Sequence, residues 1–136
     1  MSSPANSTFR FHLDPHSGVP MYRQIIDQVR GAVASGALGP GIQLPTVRQL
    51  AVDLSINPNT VVRAYRELEL GGLLDTQQGT GTFVSEQKVP HSDAERHRQL
   101  RQIVGDAVSR AGAAGFTVDD LLEHLRAMRS EPPRRR

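Results

Sequence analysis

The spacing of apolar residues changes several times along the chain, and each change marks an element. Residues 9–19, FRFHLDPHSGV, read as a short extended lead-in with turns at Asp14-Pro15 and Ser17-Gly18. A first helix is expected from Pro20, a residue favoured at the first helical position. Its apolar stripe runs through Met21 or Tyr22, Ile25, Ile26, Val29 and Val33, and Gly36 stops it. Residues 38–41 (LGPG) make a tight connection. Thr46 is then placed to cap a short second helix with Val47, Leu50, Ala51 and Leu54 on one face. After a brief turn at Ser55-Ile56, Asn57 caps a third helix with Pro58 at its first position. Its inward face is predicted as Val61, Ala64, Tyr65 and Leu68, with Leu70 closing against the end and Gly71-Gly72 stopping the helix. Two extended pieces follow, residues 73–77 and 82–85, around a hairpin tip at Gln78-Gly79-Thr80-Gly81.

Helix, short helix, tight turn, helix and β-hairpin, in that order, predict a winged helix-turn-helix in a mostly α chain. No strand–helix–strand alternation is present, which disfavours a nucleotide-binding α/β fold. Residues 86–91 (EQKVPH) read as a linker. Ser92 with Glu95 then suggests a capping box for a fourth helix striped by Leu100, Ile103, Val104, Ala107, Val108 and Ala111. Residues 112–115 break it. Thr117 with Asp120 suggests a second box, opening a fifth helix striped by Val118, Leu121, Leu122, Leu125 and Met128. The expected organisation is a disordered tail at 1–8, a winged domain at 9–86, a two-helix region at 87–130 and a polar Arg-rich tail at 131–136. A two-helix hairpin cannot enclose a core by itself. Its stripes must bury against the winged domain or a second copy of the chain. The second copy is the preferred reading, with Leu100, Ile103, Val104, Ala107, Leu121, Leu122 and Leu125 as the dimerisation contacts.

Composition narrows the function classes. At 136 residues the chain has room for one domain and a small appendage, and little for a catalytic cleft with its supporting shells. It has no cysteine, which excludes disulfides, zinc–thiolate sites and thiol catalysis. Aromatics are 4% with no Trp, so a stacking platform for single-stranded nucleic acid is not expected. No apolar run approaches the roughly 20 residues that span a bilayer, and the N-terminus lacks the order of a signal peptide. The five His form no ligand cluster, and no nucleophile–base pair, carboxylate pair or metal triad has a usable spacing. The expectation is a binding protein, not an enzyme, with no cofactor or metal, in a reducing cytoplasm. Net charge is only +2, and residues 20–85 carry five basic and five acidic side chains, so bulk charge does not announce a nucleic-acid binder. If the chain binds DNA, the placement of a few arginines must do it, and Arg supplies 15 of the 16 basic residues.

The stretch LPTVRQLAVDLSINPNTVVRAYRELELGGLLDTQQGTGTFV, residues 44–84, closely resembles the DNA-binding domain of GntR-type bacterial transcription regulators. VPMYRQIIDQVRGAVASGALGPGIQLP, residues 19–45, extends the match through the first helix. The short two-helix appendage is similar to the small YtrA-like branch of that superfamily. A branch fused to an aminotransferase-like domain shares the NPNTV wording, but this chain is too short for it. The resemblance implies a homodimeric, sequence-specific regulator of nucleoid DNA, a repressor, on an inverted-repeat operator. It places the third helix in the major groove, with Asn57, Asn59, Thr60 and Arg63 near bases and backbone. Arg48 matches a DNA-contacting position on the second helix, and Thr46 would cap that helix beside a phosphate. Gln78 and Gly79 match a wing tip that enters the minor groove. An unidentified small-molecule effector has room only at a dimer seam. Many relatives carry Arg where this wing has Gln77 and Gln78, so the wing is expected to add less non-specific affinity.

Each site residue also has a plainer role. Thr46, Asn57 and Thr60 serve equally as caps and turn formers, and Arg63 and Arg66 as solvated charges beside Glu67 and Glu69. Tyr65 reads as core, and Asp120 with His124 as a helical pair. The alternative function is a winged-helix protein-interaction module. The polar start of the third helix argues against it, since a protein interface would place apolar or aromatic anchors there.

Overall fold

The computed structural model describes residues 9–86 and 92–129. The tails expected at 1–8 and 131–136, and most of the linker, lie outside the described residues. The elements are α1 (Met21–Ser35), β1 (Gln43–Leu44), α2 (Val47–Leu54), α3 (Pro58–Leu70), β2 (Leu74–Gln77), β3 (Gly81–Val84), α4 (Asp93–Ala113) and α5 (Val118–Met128). They fall into two compact units, one holding residues 9–86 and the other 92–129. The first is the predicted winged helix.

In that unit the stripes read from the sequence meet in one core. Ile25, Ile26 and Val29 of α1, Leu50 and Ala51 of α2, and Val61, Ala64, Tyr65 and Leu68 of α3 are all buried, with Leu38, Leu44, Leu74 and Val84 closing the cluster. Pro20 is the N-cap of α1 rather than its first residue, and its carbonyl accepts the amides of Arg23 and Gln24. Gly36 ends α1, and its amide donates to the Val33 carbonyl.

Two features escape a reading of apolar periodicity. The first is β1, whose Gln43 and Leu44 pair antiparallel with Phe83 and Thr82, giving a three-stranded sheet in the order β1-β3-β2. A two-residue strand is too short to show alternation. The second is the buried amide of Gln24. Gln24 accepts from the Asp14 amide at 2.8 Å, and its nitrogen lies within donating distance of the Asp14 carbonyl, the Ser17 hydroxyl and the Val19 carbonyl. One turn on, Gln28 binds both the amide and the carbonyl of His12. Two glutamines thus satisfy the lead-in as a neighbouring strand would. Phe9, Phe11 and Leu13 alternate inward against the core, the two phenyl rings meeting edge to face at 4.8 Å.

Leu70 does not close the end of α3. It is 82% exposed. At 100° per residue it lies about 200° around the helix from Leu68, on the opposite face. The chain turns at Gly71-Gly72, and Leu73 and Leu74 take the place assigned to Leu70, the Leu73 amide donating to the Leu68 carbonyl at 2.9 Å.

Tyr65 is core, as its place on the stripe suggests, and it carries one polar bond. Its hydroxyl donates to the Pro45 carbonyl at 2.8 Å, and burial raises the phenol well above its usual range.

The second unit is an α-hairpin. The Ser92 hydroxyl accepts the Glu95 amide, the Ser92 half of the predicted box. At α5 both halves of the Thr117–Asp120 box form, at 3.1 and 2.8 Å. Hydrogen bonds from Thr117 hold the Asp120 carboxyl below its ordinary range. Val108, Ala111 and Leu121 are half-buried where the helices approach their turn. The other stripe residues face solvent, Ile103 at 64% and Leu125 at 60%.

Tyr65→Phe should cost about 1–3 kcal/mol in a urea unfolding experiment, because it strands the Pro45 carbonyl without perturbing the ring. Asp120 contributes most when ionised, so its support of the first turn of α5 is present above the usual carboxylate range and lost as pH falls through its lowered value. A carbon-detected NMR titration should place the Asp120 midpoint below that of a free aspartate, and Thr117→Ala should raise it only part of the way, because the backbone amide at position 117 still donates to the carboxylate.

Candidate nucleic-acid interface

The first turns of α2 and α3 place the polar residues singled out from the sequence. Thr46 caps α2, accepting the Gln49 amide at 3.0 Å while the Gln49 side chain accepts the Thr46 amide at 3.0 Å. That box leaves the exposed Thr46 hydroxyl a proton to donate outward. Arg48 stands exposed in the first turn of α2, and among the described residues its side chain has no hydrogen-bond or ion-pair partner. The turn to α3 passes through Ser55 in the left-handed region (φ 56°), after which the Ile56 amide reaches back to the Ala51 carbonyl. That bond closes the end of α2 and aims the chain into α3.

At the start of α3, Asn57 accepts the Asn59 amide at 2.8 Å, and its carbonyl accepts the Thr60 amide at 2.9 Å. Pro58 has no amide proton. The amides of Asn59 and Thr60 are therefore used within the cap, and position 58 has none. What this end presents to solvent is side chains: Asn57 and Asn59 are exposed, and Thr60 is half-buried.

Arg63, one turn on, is not simply solvated. Its guanidinium carbon lies 3.8 Å from the ring centroid of Tyr22 on α1, a cation–π stack that joins the first helix to the third. Among the described residues neither Arg63 nor Arg66 pairs with Glu67 or Glu69. Linear spacing has no means of showing that Tyr22 and Arg63 meet.

The wing is a four-residue pairing in which Leu74 faces Val84 and Thr76 faces Thr82, with the two threonine hydroxyls 3.2 Å apart. Gln78 and Gly79 sit exposed at its tip, Gly79 with φ +79°. The tip is strapped to β1, because the Gln43 side chain donates to the Thr80 carbonyl at 3.1 Å. Gly81 makes the strap feasible: a Cβ there would lie 2.5 Å from the Gln43 nitrogen, and its φ of +138° disfavours any side chain. Sequence reasoning missed Gln43 because it missed β1.

The winged unit thus gathers Thr46, Arg48, Asn57, Asn59, Thr60 and Arg63 onto α2 and the first turns of α3, with Gln78 and Gly79 at the hairpin tip. Leu100, Ile103, Val104, Ala107, Leu122 and Leu125 of the hairpin unit are exposed, and Leu121 is partly turned inward.

Residues 21–84 match the bacterial regulatory proteins of the gntR family. The chain is 34% identical over 119 residues to the HTH-type transcriptional repressor YtrA of Bacillus subtilis, which covers 88% of this chain and 92% of that one. The fold is similar, at a TM-score of 0.70 and 25% identity, to a transcriptional antiterminator from Listeria monocytogenes EGD-e, over 95% of this chain and 99% of that chain. It is also similar to YtrA from Sulfolobus acidocaldarius, a GntR-family transcription factor, at a TM-score of 0.56 and 32% identity over 73% of this chain and 97% of that one.

Gly81→Ala should displace the Gln43 side chain and loosen the wing tip. Hydrogen exchange at the Thr80 and Thr82 amides should rise, while Leu68 in the core stays protected.

Proposed function

This chain belongs to the gntR family of bacterial regulatory proteins, and from that membership we propose that it is a homodimeric transcriptional repressor binding an inverted-repeat operator in duplex DNA. The observation that carries this reading is the two-sidedness of α3. Val61, Ala64, Tyr65 and Leu68 bury one face in the core, while Asn57, Asn59 and Arg63 stand exposed from its first turns. An exposed polar helix tip of this kind fits the major groove, where short side chains reach base edges closely and Arg reaches guanine or phosphate. In this reading the Thr46 hydroxyl and Arg48 bind the phosphate backbone, and Gln78 and Gly79 enter the adjacent minor groove. With the amides of Asn59 and Thr60 occupied, recognition of the DNA backbone there rests chiefly on side chains.

The second half of the proposal rests on the hairpin unit. Leu100, Ile103, Val104, Leu122 and Leu125 leave apolar faces in solvent, and pairing them with a second copy would remove that surface from water. Ala107 and Leu121 would lie in the same seam. A two-fold dimer sets two recognition helices about 34–36 Å apart, one turn of the duplex. Likeness to a repressor along nearly the full length of both chains supports this reading. Among the described residues no helix is long and apolar enough to cross a membrane. The cytoplasm is the compartment proposed.

The test is selection of bound sequences from a randomised duplex pool by the full chain. An inverted repeat is expected, and a pool left unenriched would sink the proposal. Arg48→Ala should weaken binding to all duplexes alike and lower the salt slope by about one. In sedimentation, Ile103→Glu with Leu125→Glu should convert a dimer to a monomer, and operator affinity should fall with it.

A further inference from the structure

Arg63 is the only charged side chain among the described residues shown stacked on an aromatic ring. The stack runs between two helices, from the recognition face of α3 to the half-buried Tyr22 near the start of α1. A guanidinium carries all five of its N–H groups in one plane. Stacking uses the face of that plane and leaves the edges open. A bidentate contact to guanine N7 and O6 uses an edge and requires the plane to be held in line with the base. The two interactions are therefore compatible on one side chain. An unstacked arginine has several rotatable bonds to immobilise before it can make such a contact, whereas a stacked one has already lost that freedom.

We propose that Tyr22 is a positioning residue for guanine recognition. Its ring fixes the plane of the Arg63 guanidinium, so that the edge of Arg63 reads a guanine in each operator half-site. The inference deepens the DNA-binding reading above and rests on it. Residue 22 touches no base itself; it acts through Arg63. Tyr22 belongs to α1, so the reading surface extends beyond the helix-turn-helix to a helix that would not otherwise take part. The aromatic ring, not the phenol hydroxyl, supplies the platform, since the Arg63 carbon sits over the ring centroid.

The experiment uses the full chain and the duplex that the wild-type protein selects from a randomised pool. Wild type, Tyr22→Phe, Tyr22→Leu, Tyr22→Met, Arg63→Ala and the double variant Tyr22→Leu/Arg63→Ala are compared by affinity and by base preference at every position. Thermal melting first establishes that each is folded, and the methionine variant provides a second non-aromatic side chain if the leucine variant is not. Tyr22→Leu and Tyr22→Met should weaken binding roughly tenfold, blurring preference at the same guanine that Arg63→Ala blurs. Tyr22→Phe should keep both affinity and preference. The double variant should bind no more weakly than Arg63→Ala. Without DNA, the Arg63 side-chain protons should show an upfield ring-current shift in wild type and Tyr22→Phe, and lose it in Tyr22→Leu.

An additive loss in the double variant would overturn the proposal. So would an unchanged base preference in Tyr22→Leu, or a uniform weakening across all sequences in Arg63→Ala, which would assign Arg63 to phosphate. Each of those results leaves DNA binding itself intact. A wild-type chain that enriches no duplex removes the repressor reading and this proposal together, and the ring-current shift then reports only the stack.

Discussion

The Tyr65 hydroxyl donates to the carbonyl of Pro45, 20 residues earlier in the chain, from inside an otherwise apolar core. Pro45 immediately precedes the cap of α2, so the bond ties the middle of the third helix to the point where the second begins. Apolar burial holds the helices together but has no direction of its own, whereas a buried hydrogen bond has defined geometry and ties two particular points of the chain. Here that contact is a buried phenol facing a carbonyl that has no other described partner. With α2 and α3 so tied, the link between them has little slack, and Ser55 takes a left-handed conformation that usually falls to glycine. The exposed tip of α3 then follows: four inward residues use up one face, and the cap and the residues after it stand clear of the core.

That tip illustrates how fully this small domain uses its polar groups. The amides of Asn59 and Thr60 both go to Asn57, and proline removes the one before them. Thr46 and Gln49 satisfy each other's amides reciprocally at α2. Such economy stabilises two short helices, each cap contributing about 1 kcal/mol. It also shifts recognition onto side chains that can differ from one relative to the next without disturbing the fold. Since residues 20–85 are neutral as a whole, a duplex would be held by where Arg48 and Arg63 stand rather than by an attractive field.

Much of this was legible in the linear chain. The stripes of α1, α2 and α3, the caps Thr46, Asn57 and Thr117 and the wing hairpin follow from local periodicity and turn chemistry, which act within a few residues. Legibility failed where an outcome depends on distant partners. Nothing near Gln43 announces that it meets Phe83 or holds Thr80. Gln24 reads as a polar residue in an amphipathic helix until the lead-in is laid beside it. Tyr22 falls on the apolar stripe of α1, and only the fold shows its ring to be a seat for Arg63. Leu70 was misplaced for a simpler reason: an apolar residue at a helix end was assigned to the core although its angle around the axis points it to solvent. The exposed stripes of α4 and α5 were likewise legible as unsatisfied, because a pair of helices has no interior in which to hide them.

The clamp formed by Gln24 and Gln28 carries one more consequence. Both amides grip the main chain of His12 and Asp14, and the grip is blind to which side chains those residues bear. The exposed position 12 is therefore open to any replacement that keeps its amide. Length is another matter. One residue inserted between Leu13 and Asp14 would keep the ladder engaged only by turning Phe9, Phe11 and Leu13 to the wrong side. Between its inward residues the leading segment is lenient about spelling, and throughout it is strict about counting, so a frame-preserving codon insertion would do damage there that point changes at its exposed positions would not.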